Sequence, residues 1–337
     1  MRAYEIQNKQ GLDALTLIER PEPKAGPGQV ILKMRAASLN YRDLLMVKGA
    51  YGSKPPASFI PLSDGAGEVV GVGDGVTRVK KGERIAGIFM QKWIAGDFSR
   101  EKALSALGGG GVDGMLAEYV VLHEEGVVRV PEHLTDEEAA ALPCAAVTAW
   151  CALITEGNLK AGDIVLLQGT GGVSIFALQF AKLVGARVII TSSSDEKLER
   201  ARQLGASDLI NYKTTQNWDQ KAWELTDGVG VDHVVEVGGA NTLNQSLRAV
   251  RMGGMITLIG VLAGVAADIK TVDILRKKVR VQGIYVGSRE MFEAMNRAIA
   301  LNGLRPVVDR VFPFEEAREA LEYLQSGAHF GKICIKF

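Results

Sequence analysis

Cysteine is scarce in this 337-residue chain. The three that occur, Cys144, Cys151 and Cys334, are odd in number and show no C-x-x-C spacing, which argues against a disulfide framework and against a structural zinc site of four thiolates. A reducing compartment fits that usage. Histidine is nearly as rare, and His123, His133, His233 and His329 stand apart from one another and from any acidic pair at metal-ligand spacing, so each reads as an ordinary surface or loop residue. Long apolar runs are missing, which leaves nothing of membrane-spanning length. An excess of charge is missing too: 39 basic and 39 acidic residues leave a formal net charge of zero, without the electrostatic footprint of a nucleic-acid or anionic-lipid partner. The opening Met1–Ile6 lacks the apolar core of a signal peptide and runs straight into a strand-like pattern, so a cytoplasmic protein is expected. There is no internal repeat and no low-complexity tract.

What is present centres on one turn. The apolar run Asp163–Leu167 is followed by Gln168-Gly169-Thr170-Gly171-Gly172-Val173-Ser174 and then by apolar residues at helical spacing, Phe176, Leu178, Phe180 and Leu183. This reads as strand, phosphate-binding turn and helix. Gly169 permits the tight turn, Gly171 lets the backbone approach a pyrophosphate, and the amides at the helix start supply donors and a positive dipole. Ser174 replaces the third glycine of the dinucleotide fingerprint with another small residue. Among 39 glycines such a pattern arises by chance, and the strand-to-helix context is what lends it weight. The next apolar run, Ala186–Thr191, ends in Ser192-Ser193-Ser194, where an NAD site would place an acid on the ribose. Serine accepts a 2′-phosphate that a carboxylate would repel, and Lys197 and Arg200 follow as counter-charges, which points to NADP(H). The same serines also fit a helix N-cap with Lys197 and Arg200 on a solvated face, and the two readings are compatible.

From Gly162 to Val286 apolar runs at 164–168, 187–191, 208–211, 232–237, 255–260 and 279–286 alternate with helical stretches at Asp195–Leu204, Trp218–Thr226 and Asn241–Arg251. Strand alternating with helix predicts a parallel, doubly wound α/β sheet. The first 125 residues differ, with short runs such as Gln29–Arg35, Gly67–Val72 and Leu116–Leu122 broken by Pro21-Glu22-Pro23, Pro55-Pro56, Gly73-Asp74-Gly75 and Lys80-Lys81-Gly82-Glu83. Gln91–Val112, ending in Gly108–Gly111, reads as a surface lobe or mobile loop. A helical pattern over Arg289–Leu301 precedes the ending Gly331–Phe337, which is expected to return to the first domain. The division predicted is 1–125 plus 288–337 as a β-rich domain and 126–287 as the dinucleotide-binding domain, with the active site in the cleft.

Across essentially its whole length the chain resembles the medium-chain dehydrogenase/reductases, in the zinc-independent branch related to quinone oxidoreductases. The resemblance is carried by Pro27-Gly28-Gln29-Val30, Ser38–Asp43 with Gly49-Ala50-Tyr51, Asp64–Val69, Leu116–Tyr119, Leu142–Trp150, the glycine turn and His329-Phe330-Gly331-Lys332. It implies a Rossmann domain inserted in a GroES-like catalytic domain, a nicotinamide cofactor and hydride transfer. Zinc-dependent members place a cysteine, a histidine and a third cysteine or acid around the metal; here the first position is Asn40, the histidine position is assigned to Ala66, and only Cys144 remains, so no metal is expected. The cysteines of the second zinc lobe are absent between Gly87 and Val121.

Loss of the Lewis acid favours acceptors that take hydride readily, quinones or conjugated carbonyl alkenes, with hydrogen-bond donors stabilising the oxyanion or enolate. The catalytic candidates implied are Asn40, Tyr51 and Asp43. Asn40 also fits a loop organiser, Tyr51 a packed turn residue, and Asp43 an acceptor for the loop or Arg42. The resemblance places Tyr41, Arg42, Thr148 and Lys332 near the cofactor, Gly169, Thr170, Gly171, Gly172 and Val173 around the pyrophosphate, and Ser192, Ser193, Lys197 and Tyr212 around the adenosine 2′-phosphate. Cys144 reads as a buried vestige. Two other functions stay open: an alcohol or aldehyde dehydrogenase of the same fold, and a non-catalytic crystallin-like cofactor binder. A homodimer is expected, because the apolar runs near Met255–Leu262 and Val279–Val286 must put one strand at a sheet edge.

Overall fold

A computed structural model describes residues 1–7, 10–51, 58–109 and 111–337. Pro55, Pro56 and Gly110 lie outside the described residues. The chain divides into two compact units, Met1–Val147 with Gly287–Phe337, and Thr148–Val286. The first boundary therefore falls after Val147 and not after residue 125. Residues 126–147 belong to the first unit because Val127–Arg129 pairs antiparallel with Arg84–Gly87 and the Cys144 amide bonds to Asp64.

In the first unit the central strand Gln29–Ser38 alternates as far as Ala36, with Val30, Leu32, Met34 and Ala36 buried, and ends in Ala37 and Ser38, both buried. Period-two burial on one face makes it the spine of a seven-stranded sheet among the described residues. Asp64–Val72 pairs with it on one side, and the C-terminal strand Lys332–Lys336 on the other, both antiparallel. The chain end thus returns to the first unit, as expected. Tyr119–His123 pairs with the first half of the spine, and Val308–Pro313 and Arg84–Gly87 extend the sheet. A separate three-stranded sheet holds Leu15–Glu19, Arg2–Gln7 and Ser58–Phe59. The described residues of the segment 91–112 include the helix Arg100–Ala103, and Trp93, Ala106 and Leu107 are buried.

The second unit is a six-stranded, wholly parallel sheet in the order Asp208–Asn211, Arg187–Ser192, Ile164–Gln168, Val231–Glu236, Val250–Leu258, Arg280–Gly283. Strands covered by helices on both faces read as unbroken apolar runs, and Val165, Leu166 and Leu167 are all fully buried. Leu166, Ile189, Ile210, Val234 and Ile256 from five strands pack with Trp218, Leu243 and Leu247 from two helices. His233, expected as a surface or loop residue, sits instead in Val231–Glu236, buried beside Asp163 at 3.3 Å, and burial pushes its imidazole below the usual range.

Candidate functional site

The spine Gln29–Ser38 ends where three strands meet. Its last residue, Ser38, pairs with Asp64 on one side and with Cys334 on the other, so continuing the antiparallel register brings Lys332 opposite Asn40. Asn40 then caps the helix Tyr41–Val47, and its amide donates to Asp43 Oδ2 at 2.8 Å. Its carboxamide is held at both ends. Lys332 Nζ donates to Asn40 Oδ1 at 2.6 Å, and Asn40 Nδ2 makes a long 3.4 Å contact to Ser63 Oγ. Ser63 Oγ donates to Asp64 Oδ1 at 2.8 Å, and Asp64 Oδ2 accepts the Cys144 amide at 3.0 Å. The residue placed against Asn40 is Ser63, not Ala66; Ala66 lies inside the strand, paired with Ala36 and Ala86.

The centre holds two carboxylates, Asp43 and Asp64, and two cations, Arg42 and Lys332, all at most 9% exposed. Buried charge is tolerated when paired and hydrogen-bonded. Burial pushes the Asp64 carboxyl up to about 6, against the pull of Lys332. Asp43 moves the same way, raised by burial and held back by Arg42. Burial also pushes the Cys144 thiol far up, with the Asp64 charge adding to it. Arg42 Nη1 reaches Asp43 Oδ1 at 3.1 Å, Leu107 O at 2.8 Å and Gly108 O at 3.2 Å, which ties the Gln91–Val112 segment to the centre. The Arg42 guanidinium lies 5.4 Å from the Tyr51 ring centroid and 5.1 Å from that of Phe89. Tyr51 is half-buried against the core of this unit, and Tyr41 is exposed.

Zinc fits this donor set poorly. Asn40 offers a carboxamide whose Oδ1 is already taken by Lys332, Ser63 offers only a hydroxyl, and Cys144 alone cannot supply the three protein ligands that zinc needs. Among the described residues no group of three or more His, Cys, Asp or Glu is placed to hold a metal ion. Lys332, assigned to the cofactor from sequence, is 3% exposed and spends its ammonium on Leu39 O and Asn40 Oδ1, both at 2.6 Å.

In the second unit the turn after Ile164–Gln168 has the shape its glycines imply. Gly169 sits at φ 70°, where a side chain would be strained, and Gly171 precedes the helix Gly172–Val184. The first amides of that helix lack intrahelical acceptors, and Ser174 Oγ donates to Gln168 O at 2.7 Å, closing the helix onto the strand. Gly172 and Val173 are half-buried, while Thr170 and Thr148 are buried. Arg187–Ser192 ends alongside: Thr191 Oγ1 accepts the Gly169 amide at 3.4 Å. Ser192 is buried, its hydroxyl accepts the Ser194 amide, and its carbonyl accepts that of Tyr212 at 3.0 Å. The cap of Asp195–Gln203 is Ser194, which accepts the Lys197 amide, so the capping role falls to the third serine of the run. Ser193 and Lys197 are half-buried and Tyr212 is exposed.

Sequence reading missed Glu236. Fully buried at the end of Val231–Glu236, it accepts from Gln168 Nε2 at 2.7 Å, Thr242 Oγ1 at 2.6 Å, Ser246 Oγ, and the Gly238 and Gly239 amides at 2.9 Å each. It locks the turn Val237–Gly239 to the residue that opens the glycine turn. An acid inside an apolar run just before Gly238-Gly239 was the signal for it. For Lys332 the signal was a lysine heading an apolar strand directly after a glycine.

Two family profiles match the chain: "Alcohol dehydrogenase GroES-like domain" over residues 26–132 and "Zinc-binding dehydrogenase" over residues 172–300. Among curated proteins, a zinc-type alcohol dehydrogenase-like protein of Schizosaccharomyces pombe is 45% identical over 97% of this chain and 96% of its own. A quinone oxidoreductase of Sus scrofa is 29% identical over 99% of this chain and 96% of its own. Among solved structures, a putative alcohol dehydrogenase from Sinorhizobium meliloti superposes with a TM-score of 0.92 at 42% identity, each chain covered completely.

Proposed function

The chain belongs to the medium-chain dehydrogenase/reductase superfamily, and from that premise we propose that it is a zinc-independent, NADPH-dependent reductase of quinones or conjugated carbonyl alkenes. It is an oxidoreductase with a Rossmann-like unit and a GroES-like unit. The observation that carries the metal-free reading is the donor set at the end of the spine, where the Asn40 carboxamide, already bonded to Lys332, and the Ser63 hydroxyl leave Cys144 as the one sulfur ligand type. The NADP(H) reading rests on Ser192, buried where a ribose-binding carboxylate would repel a 2′-phosphate.

The cofactor, when bound, supplies a hydride. The residues of the chain then have two tasks. The Gly169–Val173 turn and the serines after Arg187–Ser192 fix the pyrophosphate and the adenosine phosphate through amides and hydroxyls. Tyr51, with Asn40, donates hydrogen bonds to the carbonyl oxygen that gains charge as hydride reaches the quinone or the β-carbon of an enone. Asp43 and Arg42 hold the Asn40 loop. The protein acts on a small molecule in the cytoplasm as a homodimer.

Measuring NADPH consumption against panels of quinones, enones and enals, beside alcohols with NAD, tests this reading. Turnover confined to alcohols would overturn it. A second reading, a zinc-dependent alcohol dehydrogenase, is favoured by the names of the relatives at 45% and 42% identity. Alcohol-dependent NAD reduction that vanishes with chelator would select it.

A further inference from the structure

A lysine buried at the head of an apolar strand is costly unless the fold supplies acceptors for its ammonium. Here the backbone places it. Gly331 adopts φ 82°, and a Cβ there would lie 2.5 Å from Val307 O, so only glycine lets the chain enter Lys332–Lys336 at this point. The register against Gln29–Ser38 then carries Lys332 to the three-strand junction, 292 residues from Asn40 in sequence. Its Nζ lies 2.6 Å from Leu39 O, 2.6 Å from Asn40 Oδ1 and 4.0 Å from Asp64 Oδ2.

We propose that the Lys332 ammonium is the resident cation of this centre: it neutralises Asp64, fixes the Asn40 carboxamide, and thereby excludes the divalent metal that the zinc-binding description of the family leads one to look for. This rests on the zinc-independent reading above and names the residue responsible. The acceptors around Nζ are oxygens that would otherwise be open to a cation. With Arg42 against Asp43 and Lys332 against Asp64, two positive charges already balance two negative ones, so a bound divalent ion would leave the buried cluster with uncompensated charge. With Oδ1 committed to Lys332, Asn40 turns its Nδ2 toward Ser63, so its donor end is set by the lysine. Lys332 is therefore a positioning residue and does not bind the cofactor.

The test is a double-mutant cycle on the full chain. Lys332→Met leaves Asp64 as a buried carboxylate without its cation and is expected to lower Tm by on the order of 10 °C, whereas Asp64→Asn, which leaves Lys332 the oxygens of Leu39 and Asn40, is expected to lower it less. The double variant should recover a large part of the loss, because the charge that needed its partner is gone. Folding of the double variant where Lys332→Met alone fails to fold supports the proposal equally. Strictly additive losses overturn it. Titration of the wild-type protein with Co²⁺ is an independent arm that needs no variant: no thiolate-to-cobalt absorption is expected, and a stoichiometric band abolished by Cys144→Ser overturns the proposal. NADPH-dependent reduction of enones by chelator-treated wild type reports on the functional reading alone, so failure of that reading and failure of the Lys332 assignment give different results.

Discussion

Tyr51 lies half-buried with the Arg42 guanidinium 5.4 Å from its ring centroid, an arrangement that pins the ring of the proposed oxyanion donor. Tyr51→Phe keeps the ring and that contact and removes only the hydroxyl. Turnover should fall roughly 10- to 1000-fold with enones, and less with quinones, while NADPH affinity stays near that of the parent. Stopped-flow traces of NADPH oxidation beside binding titrations separate the two, and equal turnover on every accepted substrate would make Tyr51 a packing residue. Ser192 carries the cofactor preference in the same way. Ser192→Asp sets a carboxylate near the expected 2′-phosphate and should cost about 1–3 kcal/mol of NADPH affinity, which flattens or reverses the preference over NADH. Nicotinamide fluorescence titration reads this directly, and equal affinities in the parent chain would refute the assignment. Asp64 makes a prediction about pH. Its folded carboxyl, faced by Lys332, Asp43 and the Cys144 amide, titrates near 6, above the ordinary carboxylate value. A raised pKa contributes stability that is complete below about pH 4 and is lost as pH rises through about 6. The Tm difference between wild type and Asp64→Asn should therefore move in favour of wild type as pH falls from 7 to 4; a constant difference would show that Asp64 does not titrate in that window.

At the scale of elements, the parallel sheet of the second unit was legible because strands buried on both faces are continuous apolar runs, and Ile164–Gln168 and Asp208–Asn211 begin and end where those runs do. The glycine turn was legible for a related reason, since strand, positive-φ glycine and helix follow within a few residues. The junction at the end of Gln29–Ser38 was not. It depends on the pairing register of two strands distant in sequence, and local pattern carries no information about which residue of Lys332–Lys336 meets Asn40. The placement of Ala66 in the position that Ser63 occupies is an error of the same kind, an alignment of motif letters a few residues out of step with the strand. Glu236 escaped because its partners, Gln168, Thr242 and Ser246, come from three separate elements. Its role is nevertheless testable. Glu236→Gln replaces an acceptor-only group by one that presents its own donors to Gln168 or Ser246, so it should cost a few kcal/mol. Amide exchange at Gly238 and Gly239, which donate to Glu236 Oε1, should accelerate beyond the change at other protected sites. Unchanged exchange there would deny it control of the turn.

At the scale of the molecule, no helix of the described residues is long and apolar enough to cross a membrane. Among the described residues the parallel sheet ends in Arg280–Gly283, which pairs with Val250–Leu258 on one side, and Val261, Leu262, Val265 and Leu275, nearby in sequence, are 44–84% exposed. A sheet edge together with exposed apolar side chains is the feature on which the expected dimer rests. Light scattering should give twice the 36.2 kDa chain mass, and a concentration-independent monomer would remove the dimer. The central claim is hydride transfer from NADPH to an activated acceptor without a metal. It is tested most directly by one assay: the rate of NADPH oxidation with a quinone and an enone, using protein whose zinc content has been brought to zero by chelation and verified by elemental analysis. The expected result is full activity relative to untreated protein, with NADPH preferred over NADH. An enzyme that loses its turnover with its zinc, and regains it only when zinc is returned, would contradict the account.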